Sequence, residues 1–305
     1  MVRHNIIISH AEKIMFPKSG ITKGNLIDYY DGIADRMLPY LKDRPLTLHR
    51  FPEGLRVKGF FQKNASGYFP DWIRTARVKK KEGWVDHVVC DNKDTLVYLA
   101  NQGTITFHVA LSKLNKLDYP DRLIFDLDPP SADFRPVVEG AKILREFLEA
   151  DLGLRTYLMI TGSKGLHITV PLVQTENFDI VHDFAKNVAE HMVKAHPDKF
   201  TTAMRKDQRE GKLFLDYLRN SYGQTGVCPF SVRAIEGAPV ATPLYWDELE
   251  DNALNARTYT IKNIFIRLKK KDDPWENMES HTISISRPKA QLMEMMQLKT
   301  RSNHK

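Results

Sequence analysis

Two aspartates at the end of a short alternating segment are the strongest chemical signal in this sequence. Residues 123–130 read LIFDLDPP, which predicts a strand with one apolar face and with Asp126 and Asp128 on the other. The two prolines end the strand, because proline cannot continue a central sheet ladder. Like charges at this spacing repel unless a cation lies between them, so the pair favours a divalent metal ion. The alternative is a solvated strand end with two turn-forming aspartates.

A glycine-rich turn supplies a second candidate element. Residues 161–167 read TGSKGLH, and two glycines allow a tight turn whose backbone N–H groups can bind an anion. Lys164 adds positive charge, although the spacing is not that of a P-loop. His167 falls on the returning strand, opposite its apolar neighbours, which favours a functional histidine over a histidine that only fills the core.

A third carboxylate and a later arginine complete the candidate site. Asp216 lies within KLFLDYL, residues 212–218, where an acid between apolar neighbours is costly unless it is paired or metal-bound. An ion pair with Arg209 or Arg219 is the alternative for this acid. Arg233 can clamp a phosphate through two hydrogen bonds, and a surface salt bridge is its alternative.

Taken together, these residues predict a two-metal nucleotidyltransferase. Acids on two strands would hold the metal ions, and the glycine turn would hold a triphosphate. The net charge of +7 and the pI near 9.2 favour a polyanionic partner such as a nucleic acid.

The elements that must position these residues indicate an α+β fold. Hydrophobic periodicity predicts helices over residues 22–41, 135–151, 177–195 and 258–271, mixed with short strands that include residues 227–234. No regular βαβ repeat is present, so we expect a mixed or antiparallel central sheet flanked by helices. The sequence has no internal repeat or flexible linker, and we expect one domain over residues 1–290 and a polar tail over 291–305.

The composition indicates an intracellular globular protein. The sequence has no apolar run long enough to cross a bilayer and no signal peptide at its start. Its two cysteines, Cys90 and Cys228, match no metal-binding spacing and are expected to be small core residues. We therefore expect a cytoplasmic, nucleoid-associated protein without a membrane partner.

These motifs also resemble those of a known family. DLDPP, TGSKGLH, and a DxxxN segment followed by QTxxxPxSVR are similar to the polymerase domain of bacterial ligase D, over about residues 7–268. That domain belongs to the archaeo-eukaryotic primase superfamily and acts in non-homologous end joining. The resemblance implies a primase-type α/β catalytic core and two Mn²⁺ or Mg²⁺ ions. It also implies a repair polymerase that adds nucleotides, preferably ribonucleotides, to a 3′-OH at gaps or broken ends.

The resemblance also assigns roles to individual residues. Asp126 and Asp128 would bind both metal ions, and Asp216 would bind the catalytic one. The residues implied to contact the nucleotide are Lys63, His108, Thr161, Ser163, Lys164, His167, Gln224 and Arg233. The remaining implied roles are 5′-phosphate binding by His10, Lys13 and Lys23, template stacking by Phe60 and Phe61, and organisation of the metal site by Arg209. The chain departs from the family pattern at Thr161, His10 and Ile235, where serine, asparagine and arginine are usual.

The implied partners are DNA with gaps or 3′ overhangs and a 5′-phosphate, NTP or dNTP, a DNA ligase and a Ku-type end-binding protein. The KxDG motif of a ligase nucleophile is absent, so sealing is expected to come from another polypeptide or another domain. Three alternatives stay open. These are a primase that starts strands de novo, a non-catalytic end-binding or synapsis module, and, more distantly, a phosphohydrolase that uses the same metals.

Overall fold

The computed structural model describes residues 2–3 and 6–302, with side chains for residues 6–297. The helices are α1 Lys23–Leu41, α2 Lys93–Asn101, α3 Arg135–Glu146, α4 Phe178–Ala195, α5 Ile264–Leu268 and α6 Ser286–Ser302. The first eight strands are β1 Val2–Arg3, β2 Ile6–Ile7, β3 Ile14–Phe16, β4 Ile21–Thr22, β5 Leu46–Arg50, β6 Phe60–Gln62, β7 Thr75–Lys79 and β8 Trp84–Val88. The strands that follow are β9 Thr104–Ala110, β10 Arg122–Asp128, β11 Tyr157–Ile160, β12 Leu166–Pro171, β13 Phe200–Thr201, β14 Leu213–Asp216, β15 Thr225–Val227 and β16 Thr242–Leu244.

Two larger sheets carry the residues of interest. The six-stranded sheet has the order β13-β14-β10-β12-β11-β16 and is antiparallel except for the β13–β14 pair. The four-stranded sheet has the order β15-β9-β5-β6 and is antiparallel throughout. The predicted α+β class with a mixed or antiparallel sheet flanked by helices is confirmed.

The alternation predicted for β10 positions its polar face. Leu123, Phe125 and Leu127 are fully buried in a hydrophobic cluster that includes residues of α3 and α4. Because side chains alternate along a strand, Asp126 and Asp128 point to the opposite face of the sheet. Burial of the apolar face therefore fixes the direction of the two carboxylates.

Helix α1 matches its predicted boundaries. Thr22 caps it through a capping box, in which its side chain accepts a hydrogen bond from the Asn25 N–H and the Asn25 side chain accepts one from the Thr22 N–H. The buried face of α1 packs in a second hydrophobic cluster with residues of β5 and β9. The two larger sheets therefore each contribute to their own core.

Two predicted elements are wrong. Residues 227–234 do not form one strand, because β15 ends at Val227 and is followed by Pro229, which lacks an N–H, and by Phe230 with φ of 64°. The helix predicted over residues 258–271 is confined to Ile264–Leu268, and hydrogen-bonded turns around Asn263 precede it.

The C-terminal helix runs across the predicted domain boundary. Helix α6 spans Ser286–Ser302 without a break at residue 290, and Leu292 is buried in the same cluster as the apolar face of β10. Residues 303–305 of the predicted tail lie outside the described residues, and the division into a domain and a tail stays a prediction. Among the described residues, no helix has the length and hydropathy needed to cross a membrane.

Candidate active site

The strand register brings the predicted catalytic residues together. Asp126 on β10 is the Cα partner of Asp216 on β14 and of His167 on β12. Partners in antiparallel strands project to the same face, so Asp126 lies between a carboxylate and an imidazole. Asp128 follows two residues later on the same face. Residues far apart in the sequence therefore form one polar row across the sheet.

Asp126 is the most strongly paired of the three acids. It is 3% exposed, and its Oδ2 accepts hydrogen bonds from Arg219, with Nε at 2.7 Å and Nη2 at 2.6 Å. His167 Nε2 lies 3.3 Å from the same oxygen. Burial alone would raise the pKa of Asp126, but Arg219 and His167 outweigh it and hold that pKa well below its usual value. The anticipated partner for Asp216, Arg219, is therefore the partner of Asp126.

At Asp128 and Asp216, nearby positive charge does not offset the effect of burial as it does at Asp126. Burial and the charge of Asp126 raise the pKa of Asp128. Burial also raises the pKa of Asp216, with Asp126 adding to the rise, although its Oδ1 accepts a 2.8 Å hydrogen bond from the Leu218 N–H. The three carboxylates together therefore have less positive charge around them than their ionised forms require.

The three carboxylates are chemically suited to bind a hard divalent cation. Carboxylate oxygens are the ligands that Mg²⁺ and Mn²⁺ prefer, and raised pKa values mark acids that a cation would stabilise. In the described part of the chain, no group of three acidic, histidine or cysteine side chains has the arrangement of an ion site. Arg219 instead supplies positive charge to Asp126, in a position that a metal ion would compete for.

The glycine turn packs directly on β10. Thr161 N–H donates to the Gly165 carbonyl at 3.1 Å, and the Thr161 hydroxyl both donates to that carbonyl and accepts from the Ser163 N–H. A Cβ at Gly165 would lie 1.9 Å from the Leu127 carbonyl oxygen, so only glycine fits there. The Thr161 hydroxyl, predicted to contact phosphate, is thus engaged within the turn.

Two arginines hold the turn from outside. Arg233 Nη1 donates to the Thr161 carbonyl at 3.0 Å, and Arg257 Nε donates to the Ser163 carbonyl at 2.8 Å. Burial is the main cause that lowers the pKa of Arg233 to about 10, so it stays charged at neutral pH. Arg257 was not among the predicted site residues, because it lies in a loop that matches no motif.

Buried polar side chains lie beside this row. His108 on β9 has its pKa well below the usual value because of burial, with Arg233 and Arg219 adding to the effect. Among the described residues, five buried polar atoms of β5, β9 and β12 have no hydrogen-bond partner, namely Thr47 Oγ1, Thr104 Oγ1, Thr106 Oγ1, Thr169 Oγ1 and His167 Nδ1. Unpaired buried donors and acceptors are rare in proteins, so ordered water or a polar ligand is expected to reach these atoms.

One cavity lies between the turn and Asp128. It has a volume of about 530 Å³ and is lined by Asp128, Ser163, Lys164, Arg209 and Arg257, among others. Arg209 donates through Nε and Nη2 to the backbone carbonyls of residues 203 and 204, and its guanidinium lies over the ring of Phe214. The cavity therefore places one of the predicted metal-binding carboxylates, Asp128, among several cations.

The predicted 5′-phosphate residues are also neighbours. Lys13 N–H donates to the His10 carbonyl at 3.1 Å, and Lys23 N–H donates to the Lys13 carbonyl at 2.8 Å. Lys13 Nζ contacts both carboxylate oxygens of Glu53 at 3.1 Å. Burial, with the charge of Lys13, lowers the pKa of Lys23, whose Nζ donates to Ser9 Oγ and to a backbone carbonyl.

The aromatic pair lies on β6, with both rings exposed. The Phe61 ring stacks on His49 with centroids 4.0 Å apart, while the Arg50 guanidinium lies 5.6 Å from the Phe60 centroid. Lys63 and Gln224 are exposed and make no contact with the three acids among the described residues; Lys63 Nζ lies 3.5 Å from a backbone carbonyl instead.

Comparisons with known proteins identify the family of this chain. Residues 22–275 match the family model described as LigD, primase-polymerase domain. The chain is 36% identical over 276 residues to the bifunctional non-homologous end joining protein LigD of Bacillus subtilis, covering 90% of this chain and 44% of that protein. It is 34% identical to the multifunctional LigD of Pseudomonas aeruginosa, covering 88% of this chain and 32% of that protein. The chain thus spans less than half the length of these curated relatives.

A solved structure shares the fold. The polymerase domain of Mycobacterium tuberculosis ligase D, in complex with DNA, superposes with a TM-score of 0.84 at 31% identity, covering 92% of this chain and 100% of that one. The similarity therefore extends over nearly the whole described chain.

Proposed function

Because this chain belongs to the LigD primase-polymerase domain family, we propose that it is a nucleotidyltransferase that extends 3′-OH ends of DNA during non-homologous end joining. It would act at gaps and broken ends that carry a 5′-phosphate on the downstream strand. A DNA ligase and a Ku-type end-binding protein are the proposed partners, and ribonucleotides the proposed preferred substrates. The observation that carries this proposal is the row of Asp216, Asp126 and His167 in register across three strands.

The carboxylates would form the reactive centre. Asp126 and Asp128 would hold two Mn²⁺ or Mg²⁺ ions, and Asp216 would share one of them. Such ions stabilise the attacking and leaving oxygens of an in-line displacement. The primer 3′-oxygen forms a bond to the α-phosphorus, the bond from that phosphorus to the β-phosphate bridge breaks, and pyrophosphate leaves. Asp216 would also help to activate the 3′-OH by accepting its proton.

The glycine turn and its arginines would bind the incoming nucleotide. The backbone N–H of Lys164 lies in a turn that Arg233 and Arg257 hold in place. His108 and His167 would donate to phosphate or sugar oxygens. Pre-organised donors of this kind stabilise charge that develops on a transferring phosphoryl group.

A separate group of residues would dock the broken end. Lys13 and Lys23 place positive charge around one backbone turn beside His10, and the 5′-phosphate would replace Glu53 as the partner of Lys13. Phe60 and Phe61 would stack on template bases, because exposed aromatic rings are common platforms for unpaired bases.

Primer extension on a gapped duplex tests both halves of the proposal. We would compare 5′-phosphorylated with 5′-hydroxyl downstream strands, and ribonucleotides with deoxyribonucleotides, in Mn²⁺ and in Mg²⁺. Templated extension that the 5′-phosphate stimulates is the expected result. Asp126→Ala should abolish extension and leave 5′-phosphate binding largely intact, whereas Lys13→Ala should weaken binding to 5′-phosphorylated ends selectively.

Two results would contradict the assignments. Extension by a clean Asp126→Ala preparation would exclude this carboxylate as a metal ligand. An equal loss of binding to 5′-hydroxyl ends in Lys13→Ala would exclude the phosphate pocket. If the wild-type protein binds 5′-phosphorylated ends but extends none, a non-catalytic end-binding module becomes the better account, which the separate lysine pocket also supports.

A further inference from the structure

A second cavity lies at the opposite end of β10. It has a volume of about 510 Å³ and is lined by Arg122, the first residue of β10, with Tyr40, Trp275, Lys42 and others. Asp128 is the last residue of the same strand, so about 20 Å separates the two ends. The volume falls in the range of about 300–1,000 Å³ that is typical of small-molecule sites.

The cavity adjoins a buried excess of positive charge. Arg44 is fully buried and bonds both oxygens of Asp121, with Nη1 to Oδ1 at 2.8 Å and Nη2 to Oδ2. The Arg122 side chain is 4% exposed, and its Nε lies 3.4 Å from the same Asp121 Oδ1. Two buried guanidinium groups therefore share one carboxylate.

Arg122 keeps free hydrogen-bond donors that face the cavity. Asp121 is its one partner within the described ranges, through Nε, and both Nη groups have none. Burial and the nearby charge of Arg44 lower the pKa of Arg122. A buried guanidinium with unused donors is costly unless an anion binds it, and its planar fork matches two oxygens of a carboxylate.

The walls of the cavity indicate which anions fit. The rings of Tyr40 and Trp275 contribute apolar surface to the same cavity. Five acidic side chains also line the cavity, against four basic ones, and would repel a polyanion; the acids are Asp35, Asp43, Asp273, Glu276 and Glu279. These features favour a ligand with a single negative charge and an apolar body, and they disfavour nucleotides and DNA.

We propose that this cavity is a binding site for a small organic carboxylate. The ligand carboxylate would accept hydrogen bonds from both Nη groups of Arg122, and its apolar body would lie against Tyr40 and Trp275. The site is separate from the proposed polymerase centre and does not depend on it. The ligand carboxylate would neutralise the positive charge of Arg44 and Arg122 that Asp121 alone does not balance.

Benzoate and its neutral isostere benzamide test the proposal in the full chain. Isothermal titration should detect benzoate binding and much weaker benzamide binding, because only the carboxylate can pair with the guanidinium. Asp126→Asn should bind benzoate as the wild type does, and ATP with Mn²⁺ should not displace it. Equal binding of the two probes, no benzoate binding, or displacement by ATP would overturn the proposal.

Variants of Arg122 test whether benzoate binds in this cavity. Arg122→Met should weaken benzoate binding at least about tenfold, as expected for the loss of charge-assisted hydrogen bonds. Arg135→Met removes an arginine whose side chain is 91% exposed, and it should leave binding unchanged. Arg122→Lys keeps the charge but loses the planar fork, so it should also weaken binding and serves if Arg122→Met fails to fold. Wild-type affinity in either Arg122 variant would overturn the assignment.

Discussion

Strand β10 buries unbalanced charge of opposite sign at its two ends. At one end Asp126 and Asp128, with Asp216 beside them, have Arg219 as their nearest strong cation. At the other end two arginines share a single aspartate. Both ends lie on the same strand, whose opposite face is wholly apolar, so the difference arises from the polar face alone.

The two ends differ in how the imbalance can be relieved. A carboxylate can take up a proton, and the raised pKa values of Asp128 and Asp216 show that this response is accessible. A guanidinium cannot lose its proton in the ordinary pH range, so the other end needs an anion instead. The acidic end can therefore adjust its charge with pH or metal ions, whereas the basic end is fixed.

The largest expected effect is the loss of catalysis at the acidic end. Asp128→Asn should lower the rate of nucleotide addition by about a thousandfold or more, because metal ions supply several kcal/mol to the transition state. Single-turnover primer extension in Mn²⁺ measures this rate. Arg122→Met, at the other end of the strand, is the control and should extend primers at the wild-type rate. A similar loss in both variants would mean that the two ends are not independent.

The free energy of unfolding should distinguish the two arginines of the basic end, Arg44 and Arg122. Although burial opposes it, Arg44 and Arg122 lower the pKa of Asp121 to about 2, so this acid is charged at neutral pH. Arg44→Met removes its main partner and should cost about 3 kcal/mol of unfolding free energy. Arg122→Met removes a cation with unused donors and should cost less than about 1 kcal/mol or stabilise the protein. Urea denaturation measures both, and equal costs would contradict the charge imbalance.

Asp128→Asn should raise stability although it removes activity. Burial and Asp126 raise the folded-state pKa of Asp128 above its unfolded value of 3.8, so the ionised carboxylate destabilises the folded chain at neutral pH. We expect the variant to gain about 1 kcal/mol at pH 7 in the presence of a chelator. The gain should shrink as the pH falls through the raised pKa and vanish below about 3.8.

A matched exposed acid provides the control for this pH dependence. The Arg135 contact lowers the pKa of Asp133, so Asp133→Asn should change stability in the opposite direction as the pH rises. Urea denaturation at several pH values compares the two variants. If both showed the same sign, burial and like charge would not be the cause at Asp128.

The smallest effect on activity is expected for Arg257, which holds the glycine turn. Arg257→Ala removes the 2.8 Å hydrogen bond to the Ser163 carbonyl and should loosen the glycine turn. We expect KM for the nucleotide to rise about threefold to tenfold with little change in kcat, as for the loss of one hydrogen bond to a charged group. Steady-state extension at varied nucleotide concentration separates the two constants. A fall in kcat alone would assign Arg257 a different role.

The sequence predicts the acidic end better than the basic end. Alternation in LIFDLD is a local property, and it correctly predicts which face of β10 carries Asp126 and Asp128. The pairing of Arg219 with Asp126 depends on strand register, which the local pattern does not contain. The burial of Arg122 depends on residues as distant as Trp275, so its unused donors leave no mark on the sequence around it.

The close approach of Gly165 to β10 constrains any redesign of this protein. With the Leu127 carbonyl 1.9 Å from where a Cβ would lie, position 165 admits no substitution without moving the strand that carries both aspartates. A mutational library that seeks altered nucleotide choice can vary residues 163 and 164, which face the cavity. It should leave position 165 unchanged, because there a substitution meant to alter selectivity would displace the carboxylates instead.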